Sequence, residues 1–212
     1  MLNDQKDLRT MPFAEGIKYT TKLIDGKYPI FIIPNLFYAK TDELKKKIFE
    51  YKKKSKSANI KYKNIVHHPL ISYKLGFVPN YHHENIDVID EINDDILKIC
   101  KTIIKKFESD ETNLKISDMW VNFYEKGDYI SEHNHPYVHY ACCYYVDLEG
   151  DPSPIIFPPI TINPENNMLI LFDARIFHSV PATPGKRINI AMNLTRCSSK
   201  ILDNLPNSFT YN

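Results

Sequence analysis

Residues 116–148 read ISDMWVNFYEKGDYISEHNHPYVHYACCYYVDL, and they contain two apolar runs of the kind that forms β-strands. The first run covers residues 116–124 and the second covers residues 139–148, with the turn-forming residues Lys126-Gly127-Asp128 after the first. Further short runs follow at residues 155–157, 168–172, 178–180 and 187–195. Closely spaced strands with turn residues between them predict a β-sandwich or a barrel.

The front half of the chain has a different pattern, with helices among short β segments. Residues 17–23 and 30–33 indicate β segments, and Thr41 then caps a predicted helix of about fifteen residues. Residues 86–107 predict the strongest helix, because their apolar side chains recur at three- and four-residue steps. Residues 55–85 show no regular pattern, so we expect an irregular loop there, typical of a lid or a substrate loop.

Together these elements predict a mainly β fold with flanking helices. Among such folds we favour the double-stranded β-helix, the jelly-roll type found in cupins, although periodicity alone does not separate it from other sandwiches. A chain of 212 residues suits one domain. Within it we expect a helix-containing N-terminal support at 1–112, the β-helix core at 113–197 and a tail at 198–212.

The composition excludes several classes of protein. Hydrophobic residues at 43% and aromatic residues at 12% are too abundant for a disordered chain. A formal net charge of +1 gives no overall field that would attract nucleic acid, and the lysines at 45–47 and 52–54 are expected to form a solvated helix face. No apolar run approaches the roughly 20 residues that span a bilayer, and the N-terminus is too polar for a signal peptide. We therefore expect no membrane association and a cytoplasmic location.

The cysteines predict no disulfide framework. Cys100, Cys142, Cys143 and Cys197 show no Cys-x-x-Cys spacing, so reduced and packed thiols are expected. The neighbours Cys142 and Cys143 would point to opposite faces of a strand.

Three histidines have the spacing of metal ligands. His133 and His135 are two residues apart, so on an extended chain both rings project to the same side and can face one ion. His178 follows the apolar run 168–172, which would place it across a barrel mouth from the first pair. Three protein ligands leave coordination positions open, as a catalytic metal requires and a structural metal does not.

Arg187 adds a second feature to this candidate site. It lies nine residues after His178, on the next predicted strand. A guanidinium group is always charged and forked, so deep in a barrel it needs a carboxylate partner. A bound dicarboxylate would supply one, and the histidines with Arg187 are what a non-haem iron site with such a ligand needs.

These residues resemble the iron(II)- and 2-oxoglutarate-dependent oxygenases, among them small oxygenases of phages and marine bacteria, with the motif order of prolyl hydroxylases and AlkB-type enzymes. The resemblance covers residues 118–195. The segments that carry it are Trp120-Val-Asn122-Phe-Tyr124-Glu-Lys-Gly127, His133-Asn-His135-Pro136, Tyr144-Tyr145-Val146, Leu171-Phe172, His178-Ser-Val180 and Arg187-Ile-Asn189-Ile-Ala-Met-Asn193. It implies the double-stranded β-helix fold, iron(II) as the metal and 2-oxoglutarate as the cosubstrate.

The resemblance implies that His133, His135 and His178 hold the iron, and it has one departure. The family usually has aspartate where this chain has His135. Three alternatives follow: a working three-histidine oxygenase, a site whose carboxylate comes from elsewhere, or a degenerate binding pocket. The candidates for that carboxylate are Asp128, Glu132 and Asp173.

The cosubstrate residues are also implied by the resemblance. Arg187 is assigned to the distal carboxylate of 2-oxoglutarate, and Tyr145 to a hydrogen bond with the same group. Asn122 and Tyr124 resemble an Asn-x-Tyr motif beside the cosubstrate, and the two tyrosines have core packing as an alternative role. Asn189 fits the AlkB-type pattern. The further arginine of that pattern is replaced by asparagine at residue 193, which weighs against nucleic acid as a substrate.

The implied reaction releases succinate and CO2 from 2-oxoglutarate and hydroxylates or demethylates a second substrate, with no side-chain general base. A peptidyl or free amino acid is the first candidate for that substrate, followed by a nucleobase or a small metabolite. The segment with His67, His68, His82 and His83 could close over the metal. Two alternatives of other classes are a three-histidine thiol dioxygenase, against which Arg187 weighs, and a non-catalytic cupin-like binding or structural module. The oligomeric state cannot be predicted.

Overall fold

The helices and strands are distributed along most of the chain. A computed structural model describes residues 17–36, 40–54, 60–62, 65–74, 78–81, 87–109 and 113–196. The strands in these residues are β1 (Thr20–Ile24), β2 (Tyr28–Ile33), β3 (Ile60–Tyr62), β4 (Ile65–Lys74), β5 (Val78–Tyr81), β6 (Leu114–Tyr124), β7 (Ile130–His133), β8 (Tyr140–Glu149), β9 (Ile155–Phe157), β10 (Ile160–Ile162), β11 (Leu169–Asp173), β12 (His178–Val180) and β13 (Lys186–Arg196). The helices are α1 (Thr41–Lys54) and α2 (Asp87–Glu108).

The strands form two antiparallel sheets. The major sheet has nine strands in the order β1-β2-β11-β8-β13-β6-β4-β3, with β5 beside β4, and the minor sheet has four strands in the order β10-β9-β12-β7. The chain crosses from β6 to β7 and back to β8, and again from β11 to β12 and back to β13. This alternation between two sheets is the double-stranded β-helix, so the predicted fold is confirmed.

Strand β8 is buried on both of its faces because each face meets a different core. Cys142 and Tyr144 belong to the apolar cluster that includes the two helices. Cys143 and Tyr145, on the opposite face, belong to the cluster between the sheets. The expectation that the two neighbouring cysteines point to opposite faces is therefore confirmed, and the inner face of β8 is available to line a site.

The two helices cover the outer face of the major sheet, as their apolar spacing predicts. The buried side chains of α2 and of the sheet form one cluster, and its α2 members are Ile92, Ile96, Ile99, Cys100, Ile103 and Ile104. Each fully buried isoleucine stabilises the fold by about 1.5–3 kcal/mol. The described cysteines, Cys100, Cys142 and Cys143, are free thiols, while Cys197 lies outside the described residues. No helix among the described residues is long and apolar enough to cross a membrane.

The prediction of an irregular loop at residues 55–85 is wrong. Strands β3, β4 and β5 lie there, and β4 extends the major sheet by pairing with β6. His67, predicted on a closing loop, is the register partner of Asn122, and His68 is also in β4. His82 and His83 lie outside the described residues. The strands escaped prediction because Pro69 and Pro79 interrupt their β pattern, and proline is tolerated near sheet edges and bulges.

Candidate metal centre

Two neighbouring strands of the minor sheet, β7 and β12, bring the three histidines together. His133 is the last residue of β7, and it is the register partner of His178, the first residue of β12. His135 follows two residues after β7. The ring centroid of His133 lies 4.3 Å from that of His178 and 5.2 Å from that of His135. The candidate ligand atoms of the three rings all lie within 4.8 Å of one another, so they can share one ion.

Main-chain carbonyl groups orient two of these rings. His133 Nδ1 lies 2.9 Å from the Ser131 carbonyl oxygen, and His178 Nδ1 lies 3.2 Å from the Ile176 carbonyl oxygen. When Nδ1 donates its proton to a carbonyl, Nε2 keeps a free lone pair for a metal. The loop of the third ring is held by the His135 N–H, which donates to the Ala174 carbonyl at 2.9 Å.

Burial keeps the imidazoles in the form that binds metal. Burial, with the nearby His133 ring, lowers the pKa of His135 to about 4. Burial, with the His133 and His135 rings, lowers the pKa of His178 to about 3. Both rings are therefore neutral at pH 7, and a neutral imidazole suits iron or another transition metal. The donor set fits a catalytic metal with open positions.

The carboxylates considered as replacements for the usual aspartate lie elsewhere. Asp173 accepts two hydrogen bonds from the Arg175 guanidinium, at 2.9 and 2.6 Å. The Asp128 carboxylate accepts a hydrogen bond from the Glu125 N–H at 2.8 Å, and Glu132 is exposed on β7. Within the described residues, the metal-binding cluster consists of three histidines and includes no carboxylate.

Arg187 is buried without an acidic partner. Its side chain is 1% exposed, Nη1 donates to the Ser153 carbonyl at 3.0 Å, and Nη2 donates to the Tyr145 hydroxyl at 3.2 Å. The guanidinium carbon lies 5.0 Å from the Tyr124 ring and 4.9 Å from the Tyr145 ring. Among the described residues no carboxylate pairs with it, and its Nε has no hydrogen-bond partner. Because a buried, unpaired charge costs several kcal/mol, the site fits an anionic ligand group.

Both tyrosines beside Arg187 are packed as deeply as the arginine. Burial raises the pKa of Tyr124 and of Tyr145, and the Arg187 charge opposes this rise in each case. Their hydroxyl groups therefore stay protonated at neutral pH and can act as hydrogen-bond donors. The Tyr145 ring thus packs in the core while its hydroxyl accepts a hydrogen bond from Arg187, and the Tyr124 ring packs against the same guanidinium.

One cavity connects the histidines with Arg187. Strands β6 and β13 line it with register pairs, Arg187 opposite Tyr124 and Asn189 opposite Asn122. The cavity has about 460 Å³ of space, including its open mouth, and the three histidines line it too. Asn189 is 1% exposed, and its Oδ1 has no hydrogen-bond partner among the described residues. The cavity thus offers a metal end, an arginine end and a polar amide pair.

The sequence analysis assigned no role to several residues in or beside this cavity. Trp120 lines it two residues before Asn122, with its ring centroid 6.4 Å from that of His135, and Cys143 lines it two residues before Tyr145. The two-residue period of a strand would have identified both. Ser153 gave no signal, because it contacts Arg187 through its main chain.

Comparison with known proteins finds the same architecture in several solved structures. Neither protein-family models nor curated protein sequences match the chain. An oxidoreductase of the 2OG-Fe(II) oxygenase family from Burkholderia pseudomallei aligns with a TM-score of 0.59 at 10% identity, over 78% of this chain and 84% of that chain. The viral collagen prolyl hydroxylase vCPH from Paramecium Bursaria Chlorella virus-1, in complex with 2OG, aligns with a TM-score of 0.57 at 20% identity, over 84% and 100%. A prolyl hydroxylase from Trichoplax adhaerens, in complex with a hypoxia inducible factor peptide fragment, aligns with a TM-score of 0.52 at 13% identity, over 83% and 87%. The chain therefore has the fold of 2-oxoglutarate-dependent oxygenases.

Proposed function

We propose that this protein is an iron(II)- and 2-oxoglutarate-dependent dioxygenase that hydroxylates or demethylates a substrate and releases succinate and CO2. The observation that carries the proposal is the buried Arg187, which has no acidic partner among the described residues and shares one cavity with three clustered histidines. A metal site alone would not require a buried cation. A dicarboxylate cosubstrate that also binds the metal requires both the metal site and the buried cation.

His133, His135 and His178 would hold iron(II), and the neutral state of His135 and His178 at pH 7 removes the need to displace protons from these two rings before the metal binds. When bound, iron(II) and 2-oxoglutarate supply the oxidative chemistry with dioxygen. The three imidazoles leave the remaining coordination positions for small ligands. Replacing aspartate by His135 makes the centre one charge unit more positive than the usual site, which favours anionic ligands.

The opposite end of the cavity would orient the cosubstrate. Arg187 is proposed to pair with its distal carboxylate, and the Tyr145 hydroxyl, which already accepts from Arg187, is within reach of the same group. Tyr124 packs over the guanidinium and restricts its movement. Asn122 and Asn189, a register pair that lines the same cavity, are proposed to hydrogen-bond the cosubstrate.

Apolar residues would protect the reaction from water. Phe172 and Phe157 pack on the His178 ring, with centroid distances of 4.8 and 5.7 Å. Ile155 and Val180 line the same cavity. A dry wall around the metal strengthens the electrostatic contacts of the bound carboxylates.

For the substrate, we infer a peptidyl amino acid rather than a free one. Tyr137 is 94% exposed and Phe177 is 53% exposed, and in sequence they stand close to the proposed ligands His135 and His178. The Tyr137 loop is fixed by main-chain bonds of its two ends, His135 N to Ala174 O at 2.9 Å and His139 N to Leu194 O at 3.0 Å. Exposed aromatic side chains on a fixed loop suit contacts with a chain that extends beyond the cavity. The peptide-bound prolyl hydroxylase of similar fold is consistent with this inference.

The test is an anaerobic titration of the protein, first with iron(II) and then with 2-oxoglutarate. We expect the weak visible absorption band that develops when 2-oxoglutarate chelates iron(II), and succinate production once air is admitted. Metal binding with no band would refute the 2-oxoglutarate part of the proposal and favour a three-histidine thiol dioxygenase. A protein that binds neither iron(II) nor 2-oxoglutarate would be a non-catalytic module of this fold.

A further inference from the structure

The loop after β8 contacts the Arg187 guanidinium through the segment Pro152-Ser153-Pro154, which has only one main-chain N–H group. Ser153 stands between Pro152 and Pro154, and its carbonyl accepts the 3.0 Å hydrogen bond from Arg187 Nη1. Proline has no N–H group, so Ser153 supplies the donor of this three-residue segment. That N–H donates to Thr183 Oγ1 at 3.4 Å. The peptide groups on the two sides of the Ser153 Cα are therefore engaged by Thr183 and by Arg187.

Thr183 is itself fixed by contacts with neighbouring loops. Its side chain is buried, with an exposure of 2%, and Oγ1 donates to the Gly185 carbonyl at 3.2 Å. Its N–H donates to the Asp128 carbonyl at 2.9 Å, and its carbonyl accepts from the Gly127 N–H at 2.7 Å. The Thr183 hydroxyl therefore has a fixed position, in which it donates to the Gly185 carbonyl and accepts from the Ser153 N–H.

The segment after Thr183 is pressed against the end of β8. A Cβ atom on Gly185 would lie 2.2 Å from the Glu149 carbonyl oxygen, so only glycine allows this approach. The loops after β6, β8 and β12 consequently meet at Thr183, behind the arginine end of the cavity.

We propose that Thr183 is a positioning residue for the cosubstrate anchor. Its hydroxyl fixes the Ser153 peptide, and the Ser153 carbonyl then fixes one amino group of Arg187, so that the other edge of the guanidinium faces the ligand. A forked donor binds a carboxylate well only when both are aligned, and small misplacements of such groups are costly. The proposal rests on the proposed function, because it assumes that Arg187 binds the distal carboxylate of 2-oxoglutarate.

The test compares Thr183→Val, which has nearly the same shape without the hydroxyl, with Thr183→Ser, which keeps the hydroxyl. Thr161→Val, on an exposed position of β10, is the matched control. The apparent dissociation constant of 2-oxoglutarate is measured from the anaerobic iron(II) absorption band. For Thr183→Val we expect it to rise about tenfold, equivalent to about 1.4 kcal/mol, with Thr183→Ser and Thr161→Val within about twofold of wild type.

Two further readouts separate positioning from a general structural role. The iron(II) affinity of Thr183→Val should equal that of wild type, because the hydrogen bonds of Thr183 go to Ser153, Gly185, Asp128 and Gly127 and not to the histidines. In substrate-free turnover to succinate, the KM for 2-oxoglutarate should rise while kcat is retained. Wild-type 2-oxoglutarate affinity in Thr183→Val, or an equal loss of iron(II) affinity, would overturn the proposal.

Arg187→Met identifies which proposal has failed. If Arg187→Met weakens 2-oxoglutarate binding and Thr183→Val does not, the positioning role alone is wrong. If neither variant weakens it, the assignment of Arg187 in the proposed function is wrong as well. Should Thr183→Val not fold, Thr183→Ser decides the matter, because a folded serine variant with weakened 2-oxoglutarate binding contradicts a role for the hydroxyl.

Discussion

Replacement of Arg187 by methionine tests the cosubstrate site most directly. The variant keeps a long, flexible side chain but removes the positive charge and the donors to Ser153 and Tyr145. Arg187 is 1% exposed, so solvent does not screen its charge. Truncating one partner of a buried, hydrogen-bonded charge pair costs about 2–4 kcal/mol of binding free energy, which predicts a 2-oxoglutarate dissociation constant raised about 30- to 1,000-fold.

The assay is the anaerobic titration of iron(II)-loaded protein with 2-oxoglutarate, followed by its visible absorption band. Arg187→Lys should give an intermediate loss, because lysine keeps the charge but lacks the planar fork. Arg175→Met is the matched control, since the Arg175 side chain is 67% exposed and pairs with Asp173 outside the cavity. Iron(II) should still bind in all variants, because the three histidines are unchanged. An Arg187→Met protein that binds 2-oxoglutarate within about threefold of wild type would refute the reasoning, since the predicted loss is at least tenfold larger.

Three other predictions concern the metal ligands and the fold. His135→Ala should weaken iron(II) binding by more than roughly 10- to 100-fold, which is the cost of losing a residue that only supports a metal ligand. His135→Asp should keep iron(II) bound, because a carboxylate oxygen is also an iron ligand. Unchanged iron(II) affinity in His135→Ala, measured by metal titration, would show that this ring is not a ligand. The metal-free protein should lose about 2–4 kcal/mol of unfolding free energy between pH 7 and pH 5, because the pKa values of His135 and His178 are lowered to about 4 and about 3, and the unfolded chain therefore takes up more protons below pH 6.5. Urea unfolding in the presence of a chelator measures this loss, and equal stability at the two pH values would contradict it. Gly185→Ala should destabilise the fold by about 1–3 kcal/mol, because its methyl group would lie 2.2 Å from the Glu149 carbonyl oxygen, and an unchanged urea midpoint would contradict this.

The fold could be predicted where periodicity and turn residues agree. Helix α2 has a strong apolar stripe, and its observed bounds, Asp87–Glu108, differ by one residue at each end from the prediction. Strand β7 was missed because its sequence, Ile-Ser-Glu-His, has little apolar character, and its pairing with β12 makes it a strand. Strand β4 was missed for a related reason, since its place beside β6 depends on the sheet and not on its local pattern.

The candidate site was predictable as a set of residue types but not as a set of contacts. His133 and His135 are two residues apart, so an extended chain places both rings on one side. That His178 joins them depends on the antiparallel register between β7 and β12, which brings together positions far apart in the chain. No carboxylate belongs to this cluster within the described residues, and the buried Asp173 carboxylate is paired with Arg175 instead.

The sequence by itself determined a mainly β fold with flanking helices and the chemical character of the site, because side-chain periodicity, turn residues and the metal preference of imidazole are local properties. Only the tertiary structure decided that Arg187 is buried without a described acidic partner, in the same cavity as the histidines. The tertiary structure also decided the contacts that hold Arg187. Ser153 accepts from Arg187 through a main-chain carbonyl, which every residue possesses, and Thr183 binds Ser153 from a loop thirty residues away. Burial and long-range main-chain contacts are properties of the packed chain, since desolvation of a charge depends on everything that surrounds it.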